Sequence, residues 1–158
     1  MARKLDDLDA RLIRLFHDDP RVGVLEASRR LRVARGTVQA RLDRLMASGV
    51  ITGYGPDVDP GAFGFPVTAF ATLEIRQVSG HRGIEEELAE IPEVLEVHTI
   101  TGPGDLLVRM VARDNADLQR VIDAIVNVPG VERTATLIAL AHPIRYRTLP
   151  LVEAAAGL

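Results

Sequence analysis

Residues 33–54 read VARGTVQARLDRLMASGVITGY. The stretch holds a turn, a helix and a stop. Val38, Leu42 and Leu45 stand at i, i+4 and i+7, which is one face of a helix running from about Gly36 to Ala47. Ser48-Gly49 ends it, because Gly49 suits the left-handed backbone just past a helix C-terminus. Val50 to Tyr54 then reads as a short strand. Thr37, Gln39, Arg41 and Arg44 are left on outer or flanking positions of the helix.

Two helices are expected before this one. Asp6 to Phe16 places Leu8, Leu12 and Leu15 on one stripe, widened by Ile13 and Phe16. Asp6 can cap its start, and acids at 7 and 9 suit the positive end of the helix dipole. Asp18-Asp19-Pro20 ends it. Val24 to Leu31 is a second, shorter helix with Leu25, Ala27, Ser28 and Leu31 inward. Arg32 to Arg35 is the turn. Three short helices with a tight turn before the last form a helix-turn-helix pattern, winged by the strand that follows. The same spacing also describes any small three-helix bundle. Charge favours the first reading. Residues 28–46 carry six arginines, Arg29, Arg30, Arg32, Arg35, Arg41 and Arg44, against the single acid Asp43. A basic patch of this kind suits a polyanion.

The rest of the chain is acidic. Residues 1–64 carry a net charge of +2 and residues 65–158 a net charge of −5. With 158 residues and 47% apolar content, the chain can bury two small cores and has no signature of disorder. No apolar run reaches the roughly 18 residues of a membrane span. The N-terminus has no apolar signal segment, so a cytoplasmic protein is expected. Cysteine is absent, which removes disulfides, thiolate metal sites and thiol nucleophiles. His17, His81, His98 and His142 are scattered without ligand spacing, so no metal is expected. No phosphate loop, dinucleotide fingerprint or Ser/His/Asp grouping stands out, and no cofactor is expected.

Residues 55–66 are rich in Gly and Pro and separate a domain over 1–54 from one over 67–142. The period changes there. Val67 to Ile75 alternates as a strand. Gly83 to Ile91 is a helix, Val94 to Thr101 a strand, Leu106 to Arg113 a strand. Asp114 caps a helix through Val126, and Val131 to Ala141 is the last strand. Residues 143–158 read as a tail. An internal repeat supports this order: Ile91-Pro92-Glu93-Val94-Leu95-Glu96 echoes Val128-Pro129-Gly130-Val131-Glu132-Arg133, and each copy ends a helix and starts a strand. The result is a βαββαβ, ferredoxin-like domain, so the whole chain is α+β. Right-handed crossovers put both helices on one sheet face. The other face is bare, lined by Phe70 or its Val67/Leu73 neighbours with either Val108/Met110 or Leu107/Arg109. A bare apolar face implies a dimer, sheet to sheet.

Together these features resemble the leucine-responsive/asparagine regulator (Lrp/AsnC) family of transcription factors. The carrying residues are Leu5-Asp6-x-x-Asp9-x-x-Leu12-Ile13, Asp18-Asp19-Pro20-Arg21, Thr37-Val38-x-x-Arg41-Leu42-x-x-Leu45, Gly49-Val50-Ile51-Thr52-Gly53-Tyr54, Val58-Asp59-Pro60 and Thr101-Gly102-x-x-Asp105. They extend over about 3–142 in family order and spacing. The resemblance implies a winged helix-turn-helix that binds double-stranded DNA, followed by an effector-binding domain. It implies homodimers that assemble to tetramers or octamers, and an amino acid or similar small effector between dimers. Two departures stand out. The family commonly has Ser at 34 and Ser or Pro at 36, where this chain has Ala34 and Gly36. An aromatic residue is common at 104, where this chain has Gly104, and its loss would enlarge or loosen the effector pocket.

On this resemblance the DNA-binding residues are Arg35, Gly36, Thr37, Gln39, Arg41 and Arg44. Arg41 and Arg44 would meet phosphate or guanine edges, and Thr37 and Gln39 would read bases. Arg41 or Arg44 could instead form a salt bridge with Asp43 or Asp9. The effector residues are Thr101, Gly102, Gly104 and Asp105, with Thr134 or Thr136 from a neighbouring chain. Backbone amides of the 102–105 turn would take the α-carboxylate and Asp105 the α-ammonium. The same four residues also suit a plain hairpin. The alternative function is that of an enzyme: sirohaem decarboxylases are similar in architecture, and His98 with Arg109 or Arg113 would be its material.

Overall fold

A computed structural model of the chain describes residues 5–76 and 82–158, so His81 lies outside the described residues. The chain divides into two units, Met1–Pro56 with Ile144–Leu158, and Asp57–Pro143.

The first unit begins with α1, Asp7–Asp18. The Asp6 carboxylate accepts the Asp9 N–H at 2.8 Å, and the Asp6 N–H donates back to Asp9 Oδ2 at 3.5 Å. This is a capping box closed by two aspartates. Helix α2 spans Val24–Leu31 and helix α3 Arg35–Ala47. Between them Arg32 takes the left-handed conformation at φ 57°, and the Val33 N–H returns to the Ser28 carbonyl at 3.0 Å. Leu12, Ala27, Leu31, Val38, Leu42 and Leu45 fill the core. Leu25, expected inward, is 49% exposed, because the short α2 turns only Ala27, Ser28 and Leu31 inside.

The strand expected over Val50–Tyr54 does not form. Gly49 adopts φ 70°, its N–H donates to the Met46 carbonyl at 2.9 Å, and the Val50 N–H donates to the Leu45 carbonyl at 3.0 Å. These two bonds are a Schellman closure of α3. The Ile51 N–H joins the same Leu45 carbonyl at 3.1 Å. Both amides are therefore spent on the helix end. The Val50 and Ile51 side chains pack on the core, and the Tyr54 ring meets Phe16 at 6.0 Å.

The segment read as a tail contains a helix, α6, Leu149–Ala156. Leu149, Val152, Glu153 and Ala156 are its half-buried residues, at i, i+3, i+4 and i+7. Val152 and Ala156 join the core around α1, and Glu153 pairs with Arg14 of α1.

The second unit opens with a 3-10 turn, Pro60–Phe63, capped by the Asp59 carboxylate on the Gly61 N–H. Phe65 lies beyond it, and the Arg113 guanidinium stands 5.3 Å over the Phe65 ring. The chain then runs β1 (Val67–Ile75), α4 (Arg82–Ala89), β2 (Val94–Thr99), β3 (Leu106–Ala112), α5 (Asn115–Val126) and β4 (Val131–Ile138). The sheet is antiparallel with order β2-β3-β1-β4. The repeated turns match in detail. The Val94 N–H donates to the Ile91 carbonyl at 3.0 Å, and the Val131 N–H donates to the Val128 carbonyl at 3.1 Å. Each turn also offers a carbonyl to an adjacent stretch of the sheet: Glu93 to the Val111 N–H of β3, Gly130 to the Arg76 N–H just past β1.

Ile84 and Leu88 of α4 and Leu118, Val121 and Ile125 of α5 share one core with Ala69, Ala71, Leu73, Leu106, Val108 and Met110. Both helices thus cover the same sheet face. The register puts Phe70 beside Arg109 and Leu137, and Thr72 beside Leu107 and Ala135, on the opposite face. Of the alternatives open in the sequence, Phe70 with Leu107/Arg109 lines the bare face. Leu137 there is 70% exposed. The face is less apolar than expected, since Glu96, His98 and Arg109 lie on it.

Val152→Asp places a charge into the contact between α6 and α1. Chemical denaturation should show a loss of about 1–3 kcal/mol. An α6 that merely lay on the surface would tolerate the change.

Candidate nucleic-acid interface and effector turn

Helix α3 buries Val38, Leu42 and Leu45 and leaves the rest of its circumference to other partners. Arg35, Gly36, Thr37, Gln39, Asp43 and Arg44 are exposed. At about 100° per residue, Gly36, Thr37, Ala40, Asp43 and Arg44 fall on the arc opposite the core. Side chains and backbone there can approach a groove without disturbing the packing. A Cβ at Gly36 would meet nothing within 4 Å, so the first turn is open. Ala34 occupies the N-cap and makes no side-chain cap bond, and the Thr37 N–H closes back on its carbonyl at 2.9 Å. The Gln39 amide donates to Asp43 Oδ1 at 2.8 Å, one turn along.

Arg41 is placed differently from its expected neighbours. Its guanidinium Nη1 donates to Asp9 Oδ1 at 2.9 Å and to Asp6 Oδ2. The Arg41 side chain is 22% exposed and that of Asp9 2%. Of the readings open in the sequence, the salt bridge to Asp9 is the one formed. Arg41 is therefore not exposed as Arg35, Thr37, Gln39 and Arg44 are. Asp6 as a second carboxylate and Asp43 as the partner of Gln39 were not among the expected site residues. The spacing of Asp6 and Asp9 carried a signal for the first, since a helix cap and a buried acid one turn later converge on one point.

The ion pairs shift acid–base behaviour in a definite direction. The hydrogen bond from Arg41, then that from the Asp9 N–H, holds the Asp6 carboxyl below its ordinary value of 3.8. Desolvation holds the Tyr54 hydroxyl above 10.0, with a further push from the charge of Asp43.

In the second unit, Gly102 and Gly104 both take positive φ, 122° and 99°, on either side of Pro103. Asp105 anchors the turn to β1. Its N–H donates to the Leu73 carbonyl at 2.8 Å, and its Oδ2 accepts the Ile75 N–H at 2.8 Å. One carboxylate oxygen thus serves the backbone. Gly104 lies flat on β1: a Cβ there would come 3.0 Å from the Leu73 carbonyl oxygen and 3.3 Å from Thr72 Cβ. Gly104 therefore does not loosen the turn but lets it seat on β1, and a side chain at 104 requires a different loop path. Thr134 and Thr136 pair with Leu73 and Ala71, across β1 from β3. They stand about two strand spacings, roughly 10 Å, from the start of β3 in the same chain. Thr134 Oγ1 is buried without a hydrogen-bond partner among the described residues, as is Arg109 Nε. Thr101 and Gly102 are exposed at the tip.

His98 and Arg109 meet around one carboxylate, 3.8 and 3.6 Å from Glu96 Oε2. Arg113 is engaged by the Phe65 ring. Among the described residues no group of three or more His, Asp or Glu could hold a metal ion. Nor is any helix of the described residues long and apolar enough to cross a membrane.

Comparison with known proteins agrees with the two units. A family model for winged helix-turn-helix DNA-binding matches residues 5–52, and one for the Lrp/AsnC ligand binding domain matches residues 68–149. The HTH-type transcriptional regulator FL11 of Pyrococcus horikoshii is 30% identical over 151 residues, covering 96% of this chain and 99% of its own. The HTH-type transcriptional regulator AldR of Mycolicibacterium smegmatis is 32% identical, covering 89% and 84%. The structure of E. coli AsnC superimposes with a TM-score of 0.83 at 26% identity, covering 92% of this chain and 99% of AsnC. The feast or famine regulatory protein from M. tuberculosis, complexed with L-methionine, does so at 0.79 and 26% identity, covering 90% and 97%.

Two outcomes test the geometry. Gly104→Ala should cost about 1–3 kcal/mol in chemical denaturation, since φ is positive and β1 blocks the new methyl; no loss would show that the turn re-forms away from β1. For Asp6 the folded pKa is depressed. Its stabilisation is present above the ordinary carboxylate value and is lost as pH falls through the depressed one. Denaturation midpoints followed from about pH 5 to pH 2 should fall more gently for Asp6→Asn, which keeps a cap but removes the titration.

Proposed function

The chain belongs to the Lrp/AsnC family of DNA-binding transcription regulators with a ligand-binding domain, and on that premise we propose that α3 enters the major groove and that an amino acid tunes its binding. The observation that carries this is the outward arc of α3. Its opposite face is sealed by Val38, Leu42 and Leu45, while Arg35, Gly36, Thr37, Gln39 and Arg44 are exposed. Arg35 and Arg44 meet phosphates, and Thr37 and Gln39 stand closest to base edges. Gln39 does so with its amide oriented by Asp43.

The bare sheet face supports a homodimer. Phe70, Leu107 and Leu137 give it apolar area, and the buried Nε of Arg109, without a hydrogen-bond partner among the described residues, is suited to an acceptor from a second copy. Two-fold symmetry then pairs the recognition helices, so the DNA site is a pseudo-palindrome. Tetramers or octamers place a second dimer against the 101–105 turn. There Gly102 and Gly104 present backbone, Asp105 Oδ1 faces an ammonium, and Thr101 with a neighbouring chain's Thr134 or Thr136 adds hydroxyls. The L-methionine complex of the M. tuberculosis relative supports an amino acid as the effector class. A regulator of this kind acts in the cytoplasm. Family membership favours this reading over the sirohaem decarboxylase-like enzyme.

The test is a gel shift on sheared genomic DNA at low salt, followed by affinity against salt on the bound fraction. Binding should weaken steeply with salt, and the slope should flatten by about 0.9 for each phosphate contact removed in Arg35→Ala and Arg44→Ala. Each of the twenty amino acids is then added in a thermal unfolding assay, where a ligand at 100 times its dissociation constant adds about 2.7 kcal/mol. No shift with DNA, or one untouched by the paired substitutions, would sink the DNA reading. No response to any amino acid would sink the effector reading alone.

A further inference from the structure

We propose that Arg41 is a positioning residue: held by Asp6 and Asp9, it fixes the recognition helix against α1 and does not touch DNA. The proposal rests on the reading of α3 as the recognition helix.

Three features carry it. First, the Arg41 guanidinium reaches two carboxylates with one nitrogen, Asp9 Oδ1 at 2.9 Å and Asp6 Oδ2. Its side chain is largely covered, while Arg35 and Arg44 on the same helix are exposed. Second, the Asp9 side chain is almost wholly buried. A buried carboxylate stripped of a cationic partner is strongly unfavourable, so moving the guanidinium to a phosphate would expose the fold to that cost. Third, Asp6 does two things at once. Its Oδ1 caps α1 through the Asp9 N–H, and its Oδ2 takes Arg41. The first turn of α1 and the middle of α3 are thereby closed into one hydrogen-bonded ring. A shift of α3 along or about its axis would break the ion pairs of Arg41 with Asp6 and Asp9. The outward arc is consequently presented at a set angle, and the side chains that meet DNA inherit it.

The role makes predictions that a phosphate contact would reverse. Asp9→Asn removes a negative charge and releases Arg41. If Arg41 touched DNA, the substitution would leave affinity unchanged or raise it. As a clamp, Asp9→Asn should weaken DNA binding on the order of tenfold, the scale of coupling between contacting members of one network. Arg41→Ala should weaken binding similarly with the salt slope unchanged, whereas a lost phosphate contact flattens the slope by about 0.9. Arg41→Lys keeps the charge but replaces a weakly hydrated guanidinium by a strongly hydrated ammonium on a shorter stem, which is poorly suited to a carboxylate as buried as Asp9, so it should also bind more weakly at unchanged slope. Near-normal binding by Arg41→Lys together with a flattened slope in Arg41→Ala would overturn the proposal, as would tighter binding by Asp9→Asn.

Where Arg41→Ala is too unstable to assay, Arg41→Lys and Asp9→Asn decide the matter. If the unsubstituted protein binds no DNA, the reading of α3 has failed and the clamp is judged on unfolding alone. Losses for Asp9→Asn and Arg41→Lys that fall short of additive in the double variant then uphold it; strictly additive losses reject it.

Discussion

A carboxylate buried at the start of a helix constrains everything near it. Asp9 lies inside the first unit with its side chain almost wholly covered, and water cannot stabilise its charge. Arg41 comes from α3 to meet it, and Asp6 completes the arrangement by capping α1 with one oxygen and holding Arg41 with the other. One flank of α3 is thereby committed to α1, and its inner face is committed to the core through Val38, Leu42 and Leu45. What is left is a single outward arc. The contacts available to a partner follow from these internal commitments, because a helix tied on two sides can offer only the third.

Carboxylate-to-backbone bonds order the second unit in the same manner. Asp105 joins the turn before β3 to β1 through the Leu73 carbonyl and the Ile75 N–H. Gly104 makes that seat possible, since a methyl group would strike the β1 backbone. The turn is therefore an outgrowth of the sheet centre rather than a loose hairpin. At the opposite end of the helices the two repeated turns pack differently. Gly130 lies under Ile84 of α4, where a Cβ would come within 3.0 Å. Its counterpart Glu93 carries a buried side chain that pairs with Arg120 of α5. The repeat is one backbone device with two side-chain solutions.

Most of the architecture was legible from periodicity. Val38, Leu42 and Leu45, and Leu118 and Ile125, are inward as their spacing requires, and the strand order is that of two interleaved βαβ halves, β1-α4-β2 and β3-α5-β4. Three features were not legible, each for a physical reason. Val50–Tyr54 has strand-forming residues, but the Schellman closure draws its first two amides back to Leu45. Helix α6 is short, and it is apolar on every side but that of Glu153, so no one-sided stripe marks which face α1 will cover. The direction of Arg41 is a matter of which acids lie across the core, and helical spacing alone cannot rank Asp9 against a phosphate. The 102–105 turn was legible as a turn but not in its seating on β1. One carboxylate oxygen of Asp105 serves the Ile75 N–H, a bond between residues 30 apart that no local spacing announces.

The start of α3 shows how the same accounting reaches function. Ala34 leaves the helix without a side-chain cap, a loss of roughly 1 kcal/mol relative to Ser or Asp. The other long helices solve this problem internally, α1 with Asp6 and α5 with Asp114. At α3 the surrounding surface is also stripped: Gly36 adds no side chain, no atom lies within 4 Å of where its Cβ would be, and Arg35 adds positive charge. A helix start with exposed amides, a positive dipole end and an arginine beside it is matched by a phosphate oxygen better than by water. On the proposed reading, the duplex supplies at α3 the cap that the chain itself supplies at α1 and α5. The missing serine then moves the cost of that helix end from the sequence to the complex, so part of the stability of α3 is gained only when DNA is bound.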